Sequence, residues 1–334
     1  MNVLSLFDGM SCGQIALNKL GIKYENYFAS EIDKYAIEIT QKNFPGTQQL
    51  GSVVDVKGED LPKIDLLMGG SPCQGFSFAG KQLNFDDPRS KLFFEFVRLL
   101  KEVKPKYFLL ENVKMKKESQ DIITRYLGVE PIEICSSLVS GQTRKRLYWT
   151  NIALQKGDLF DGHKSGITQP KDKGILLRDI LEDSVDKKYY CSETFMAKMD
   201  RYKNKNRCLN NDGKAMCLIA GYHKMGIDNT YIVENESATK SGKSYCLTAR
   251  YSGAVAWNSV ERKQRTMIPV EVTDEENPNV YNGVRYRKLT PKECERLQTV
   301  PDGYTEGVSD TQRYRMIGNG WTIDIIAHIF SHIN

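Results

Sequence analysis

The chain predicts an α/β fold: a doubly wound, mostly parallel sheet followed by a smaller β-rich region. Three observations predict it. Short apolar runs alternate with amphipathic stretches over the first 150 residues. Glycine-bearing turns follow several of those runs. Past residue 160 the texture becomes polar, basic and punctuated. Strand, helix and strand in repetition imply a parallel sheet with helices on both faces.

Val3–Phe7, Tyr27–Ser30, Ile64–Met68, Tyr107–Leu110 and Arg146–Thr150 read as buried strands, being short and nearly continuously apolar. Gln14–Leu20, Lys34–Asn43 and Leu92–Val103 carry apolar residues at three- and four-residue spacing and read as helices. Pro105 stops the last of these. Lys164–Lys173, polar and broken by Gly and Pro, reads as a linker. Residues 196–265 carry thirteen Lys/Arg against six Asp/Glu, interleaved with Tyr202, Tyr222, Tyr231, Tyr245, Tyr251 and Trp257. That mixture suits a nucleic-acid surface, although composition alone favours a β-rich insert with a solvated face. Asp274–Asn282 reads as a second linker, before helical texture returns at Pro291–Gln298 and Ile323–Ile329.

With 334 residues and 40% hydrophobic content, the chain can bury one large core and a smaller one. A net charge of +5 permits a polyanionic partner without demanding one. Eight cysteines without a CxxC pair argue against a zinc ribbon or thioredoxin-like motif. His163, His223, His328 and His332 lack metal-ligand spacing, so no metal is expected. Scattered cysteines suit a reducing, cytoplasmic setting. No basic n-region precedes the first strand, so a secretory signal is not expected. No apolar run approaches the roughly 18 residues of a membrane span.

Phe7-Asp8-Gly9-Met10-Ser11-Cys12-Gly13 joins the first strand to the first helix. Glycines there let the backbone approach a ligand, and the helix start offers free N–H groups. About twenty residues on, Glu31 ends the second strand, where a carboxylate can accept both hydroxyls of a ribose. This is the spacing of an adenosine site, although the loop is not GxGxxG. It leaves a nicotinamide dehydrogenase open at this point.

Gly69-Gly70-Ser71-Pro72-Cys73-Gln74-Gly75-Phe76-Ser77 follows another strand. A cysteine in such a strand-end loop is a candidate nucleophile. At neutral pH an ordinary thiol is only about 3% thiolate, so its surroundings must be electropositive or accept its proton. Leu110-Glu111-Asn112-Val113 places a carboxylate at the neighbouring strand end, and Gln142-Thr143-Arg144-Lys145-Arg146 leads into a further strand. Alternation puts Arg144 and Arg146 on one face. A nucleophile, an acid and guanidinium groups thus converge near one sheet edge.

These blocks resemble the motifs of the C5-cytosine DNA methyltransferases. FDGMSCG, SEID, GSPCQGFS, ENV, QTRKR, RKLTPKECERLQTVP and GNGWT occur in family order over nearly the whole chain. PCQ, ENV and QxRxR in this order and spacing are highly specific. The overall look is that of phage or bacterial members.

The resemblance implies an adenosylmethionine-dependent methyltransferase fold. Its catalytic domain would span 1–175, completed by 310–334, with the C-terminal helix beside the first strand and helix. A target-recognition domain and hinge would occupy 176–309. It implies S-adenosyl-L-methionine as methyl donor and double-stranded DNA as partner. The protein would act as a cytoplasmic monomer, with any cognate restriction endonuclease acting separately.

Cys73 would attack C6 of a flipped-out cytosine, Glu111 would hold N3 and N4, and Arg146 would contact O2 with Arg144 nearby. Pro72, Gln74, Ser77 and Gln142 would line the base site, and residues 75–90 would close over it. Phe7 and Gly9 would lie near the methionine, Glu31 on the ribose, and Ile32 and Val53 on the adenine. Gly70, Asn319 and Trp321 would complete the pocket. Three positions depart from the family pattern. Ser11 replaces a glycine. Ser52 replaces the aspartate expected at the adenine amino group, with Asp55 three residues on. The last block reads GNGW where serine and valine are commoner.

The residues also discriminate the rival readings. A tRNA cytosine methyltransferase would carry a CFT-type block, and none is present. An idle DNA-binding relative would not keep PCQ, ENV and QTRKR intact. A dehydrogenase would not need a cysteine beside a glutamate.

Overall fold

The computed structural model describes residues 1–72, 88–155, 163–192, 208–209, 214–220, 222–224, 231–234, 280–281 and 284–333. Its centre is a seven-stranded sheet of order β3-β2-β1-β4-β5-β7-β6. These strands are β1 (Asn2–Leu6), β2 (Asn26–Ser30), β3 (Gln48–Gln49), β4 (Leu66–Gly69), β5 (Tyr107–Val113), β6 (Ile132–Cys135) and β7 (Lys145–Thr150). The first five run parallel, joined by α1 (Cys12–Lys19), α2 (Lys34–Asn43) and α3 (Pro88–Val103) among the connections. α4 (Lys117–Leu127) links β5 to β6.

Alternation along the strands divides the core in two. Val3, Leu66, Met68, Leu109 and Tyr148 face one layer, together with Ile15 and Leu17 of α1. Leu4, Leu6, Leu67, Leu110 and Trp149 face the other, with Phe93 and Phe96 of α3 and Ile123 of α4. A side-chain period of two along each strand makes this division automatic.

β7 lies between β5 and β6 and is antiparallel to both. Its connection from β6 is too short for a crossover, so the chain turns back as a hairpin. The sequence reading missed β3, β6 and α4. β3 is two residues long, and α4 shows its buried face only as Ser119, Ile123 and Leu127.

The chain end returns to its beginning. α7 (Ile323–Phe330) packs on α1, and Asp324 pairs with Lys19 and Lys173. α5 (Pro291–Leu297) starts in a capping box: Glu293 N donates to Thr290 Oγ1, and Thr290 N donates back to the Glu293 carboxylate. Leu289, Cys294, Leu297 and Val300 join the first core layer. α6 (Asp310–Asn319) leads into the last motif block. Among the described residues no helix is long and apolar enough to cross a membrane.

Several readings of the middle of the chain need correction. Lys164–Lys173 is not a free linker: Lys164–Ser165 pairs with Leu154–Gln155, Ile167 is buried, and Lys173 N donates to Leu138 O. The second linker reading, Asp274–Asn282, ends in a strand, Val280–Tyr281, which pairs with Val284–Lys288; its other residues lie outside the described ones. With Tyr231–Glu234 and Cys208–Leu209 these strands form a small four-stranded sheet.

Tyr222 and Tyr231 are core residues rather than part of a nucleic-acid surface. Tyr222 accepts from Leu289 N and stands 5.4 Å from the Tyr314 ring. Lys214 is equally engaged, donating to the carbonyls of Ser137, Ser140 and Ile175. Tyr202, Tyr245, Tyr251 and Trp257 lie outside the described residues.

Candidate active site

The carboxyl ends of β1, β2, β4 and β5 open onto a cleft of about 860 Å³. That is within the usual range of small-molecule sites, about 300–1,000 Å³. Phe7, Gly9, Glu31, Ile32, Ser52, Val53, Gly70, Pro72, Glu111, Arg144, Arg146, Asn319 and Trp321 all contribute to its wall.

At one end the turn after β1 is tightly wound. Phe7, Gly9 and Ser11 have φ of 56°, 60° and 63°. This left-handed region is disfavoured for residues other than glycine by about 1–2 kcal/mol each. Ser11 therefore occupies a position that suits glycine, which gives that departure a backbone consequence. The turn aims Gly9 N at Glu31 Oε2, 2.8 Å away, while Glu31 Oε1 accepts from Ile32 N and Asp33 N. Backbone amides thus fix the carboxylate beside the cleft. Ile32 is 77% exposed there, an apolar side chain without cover among the described residues. Ser52 lines the cleft; Asp55 is exposed and does not. Val53 reaches the cleft from a buried position in the second core layer.

At the other end Glu111, on β5, faces Arg146 on the adjacent β7, with Arg146 Nε 3.0 Å from Glu111 Oε1. Burial is the largest influence and opposes the Arg146 charge, but Glu111, Cys217 and Tyr148 together outweigh it and hold the guanidinium above its ordinary range. Arg144 is buried and has carbonyl partners instead. It donates to the oxygens of Leu218, Gly318 and Gly320 at 3.0, 3.3 and 2.9 Å. Burial and then the neighbouring Arg146 depress its pKa. Gly70 is needed for close approach: a Cβ there would stand 3.0 Å from Trp321 Nε1 and 3.1 Å from Glu111 Oε2. Asn112 reaches back to Ser71, tying the ENV strand to the loop before Cys73.

Cys73, Gln74 and Ser77 lie outside the described residues, as does most of the 75–90 loop. Its last three residues are not loop but the start of α3. Gln142, expected at the base site, does not line the cleft. It is fully buried, donating to Leu297 O and Gln298 Oε1 and accepting from Leu218 N. It braces the segment that carries the arginines.

Sequence reasoning also missed a strap, residues 214–220. Ala215 exchanges backbone hydrogen bonds with Gly141 and Thr143, and Leu218, Ile219 and Ala220 line the cleft. Cys12 was missed too; its buried thiol accepts from Trp321 N and is pushed up to about 12 by desolvation.

The profile of the C-5 cytosine-specific DNA methylases matches residues 1–334. The chain belongs to that family. A Type II methyltransferase, M1.ScrFI of Lactococcus lactis subsp. cremoris, is 31% identical over 97% of this chain and 75% of its own length. The orphan methyltransferase M.SPRI of Bacillus phage SPR is 27% identical over 100% of this chain and 97% of its own. In fold, the methyltransferase EhMeth of Entamoeba histolytica superposes with a TM-score of 0.68 at 19% identity, covering 100% of this chain and 99% of that one.

This DNA methylase therefore transfers a methyl group from S-adenosylmethionine to carbon 5 of cytosine in DNA. The cleft suits that donor. It offers a backbone-fixed carboxylate at Glu31, an exposed apolar flank at Ile32, and the glycine approach at Gly70.

Proposed function

We propose that this DNA methylase acts through Cys73 on a cytosine turned out of a specific duplex site. The observation that carries the reading is the Glu111–Arg146 pair, 3.0 Å apart at one end of a cleft whose other end holds Gly9 and Glu31. Cytosine C5 is too poor a nucleophile to take a methyl group unaided. Addition of the Cys73 thiolate to C6 makes C5 an enamine carbon. Glu111 holds N3 and N4, supplying a proton or hydrogen bond as charge develops at N3. Arg146 contacts O2 and keeps Glu111 oriented, while Arg144 fixes the turn behind it. The donor, when bound, supplies an electrophilic methyl group. Loss of the C5 proton then releases the thiol. These atoms are out of reach inside a helix, and base flipping solves that problem for methyltransferases as a class.

At the donor end, Phe7 and Gly9 lie by the methionine, Glu31 on the ribose, and Ile32, Ser52 and Val53 by the adenine. Gly70, Asn319 and Trp321 close the pocket. Pro72, Gln74 and Ser77 frame the base. Residues 1–175 with 310–334 carry the chemistry, and 176–309 choose the site. The enzyme works as a cytoplasmic monomer; the Type II names of its relatives suggest a separate endonuclease as companion, and the orphan name suggests none.

The test is trapping. Duplex DNA with 5-fluorocytosine at the target cannot lose fluorine as a cation, so the reaction stops after methyl transfer. A denaturation-resistant protein–DNA adduct should form and map to Cys73, and Cys73→Ser should abolish it while DNA binding persists. An adduct at another residue, or one that survives Cys73→Ser, overturns the mechanism.

A further inference from the structure

The Arg146 guanidinium has three partners, one for each nitrogen. Nε faces Glu111 Oε1 at 3.0 Å, Nη1 donates to Lys145 O at 2.8 Å, and Nη2 donates to Cys217 Sγ at 3.8 Å. The same sulfur accepts from Arg144 Nη1 at 3.4 Å, so Cys217 serves both arginines. Its own proton is directed at Leu218 O, 3.5 Å away, which leaves the sulfur lone pairs to the guanidinium groups. Both arginines line the cleft and Cys217 does not, so the thiol can act on the base only through them.

Backbone holds the sulfur in this place. Ala215 exchanges hydrogen bonds with Gly141 and Thr143 on one side of it, and Leu218 N donates to Gln142 Oε1 on the other. Two guanidinium groups this close repel. Burial and then Arg146 lower the pKa of Arg144, and Cys217 acts in the opposite direction. At Arg146 burial is likewise opposed, by Glu111 and then by Cys217. Geometry adds a second effect. Two partners leave a planar group free to hinge about the line between them, and a third partner off that line fixes the plane.

We propose that Cys217 is a positioning residue for methyl transfer: by holding Nη2 it fixes the plane of Arg146, and with it the Glu111 carboxylate that Arg146 faces. This rests on the reading that Glu111 and Arg146 engage the cytosine. Cys217 belongs to the strap, within residues 176–309, so in that reading the region that chooses the DNA site also orients the groups that hold the base. A sulfur is a weak acceptor, so its effect falls on geometry more than on stability.

Single-turnover transfer of a labelled methyl group to plasmid DNA free of 5-methylcytosine tests this, with S-adenosylmethionine saturating. Cys217→Ala should lower the maximal rate about tenfold, short of the roughly hundredfold that an ångström of misplacement can cost. The DNA concentration giving half the maximal rate, and the affinity for S-adenosylhomocysteine, should each stay within about twofold. Cys217→Val keeps apolar bulk in the strap and offers no lone pair. It should slow transfer to the same extent, and it stands in if Cys217→Ala does not fold. A wild-type rate in either folded variant overturns the proposal.

A double-mutant cycle separates positioning from a structural role. Arg146→Lys keeps a cation but lacks Nη2. In that background Cys217→Ala should cost less than about twofold. A loss of about tenfold there as well would show that Cys217 acts without Arg146, and the proposal falls. Arg146→Lys alone is the control for the base-end reading. It should slow transfer by itself; if it does not, that reading fails and takes the role of Cys217 with it.

Discussion

At the donor end of the cleft, Gly9 and Glu31 come from two successive strand ends, 22 residues apart. At the base end, Arg144 is held by carbonyls 74, 174 and 176 residues away. The first arrangement is local. A strand end, a turn with positive φ and a helix start generate it within one βαβ unit. The second exists only when the strap, the C-terminal block and β7 are all in place. A fault in the local site should therefore stay local, and a fault in the assembled one should spread.

Arg144→Ala is the largest expected break in that contrast. It removes the guanidinium from the buried carbonyls of Leu218 and Gly318, each at about 1–3 kcal/mol, while Gly320 O keeps Gln298 Nε2, and it frees the strap from the C-terminal block. Unfolding midpoints should fall steeply. In whatever folded fraction remains, methyl transfer should drop more than a hundredfold, while S-adenosylhomocysteine affinity changes less than threefold. Equal loss at both ends would show that the two ends are one cooperative unit.

Asp8→Asn should act in the opposite sense on the ligand-free protein. Burial pushes the Asp8 carboxyl up to about 6, above the ordinary 3.8, so the folded protein holds this proton more tightly than the unfolded chain. Stability from this group is full below the unfolded value, declines as pH rises, and is gone above the folded one. Replacing the carboxyl should therefore stabilise the ligand-free protein by about 1–2 kcal/mol at pH 7.5, discounted because the new amide N–H needs a partner too. Near pH 4 the gain should vanish. Denaturant titrations at the two pH values check this, and a variant destabilised at pH 7.5 would contradict it.

The smallest effect sharpens the comparison within the turn itself. Ser11→Ala and Ser11→Gly both lose the hydroxyl bond to Gln14, but glycine alone relieves the φ of 63°. Ser11→Gly should be the more stable of the two by about 1 kcal/mol. Identical midpoints would mean that the turn relaxes when its side chain is removed.

By itself the sequence determined the five apolar strands, the helix at Lys34–Asn43 to the residue, and the order of motif blocks that marks the family. Those features depend on short-range periodicity and on residue types that a single turn demands. Tertiary structure decided the rest. β7 entered the sheet between β5 and β6, antiparallel to both, a placement that its own residues do not specify. Gln142, Lys214 and Tyr222 look like recognition residues by type, yet their hydrogen bonds go to Leu297, Ser137 and Leu289, which are adjacent only after folding. Asp8 reads as an ordinary turn aspartate. What distinguishes it is burial, which outweighs its hydroxyl donors, and desolvation is a property of the packed molecule rather than of any stretch of its chain.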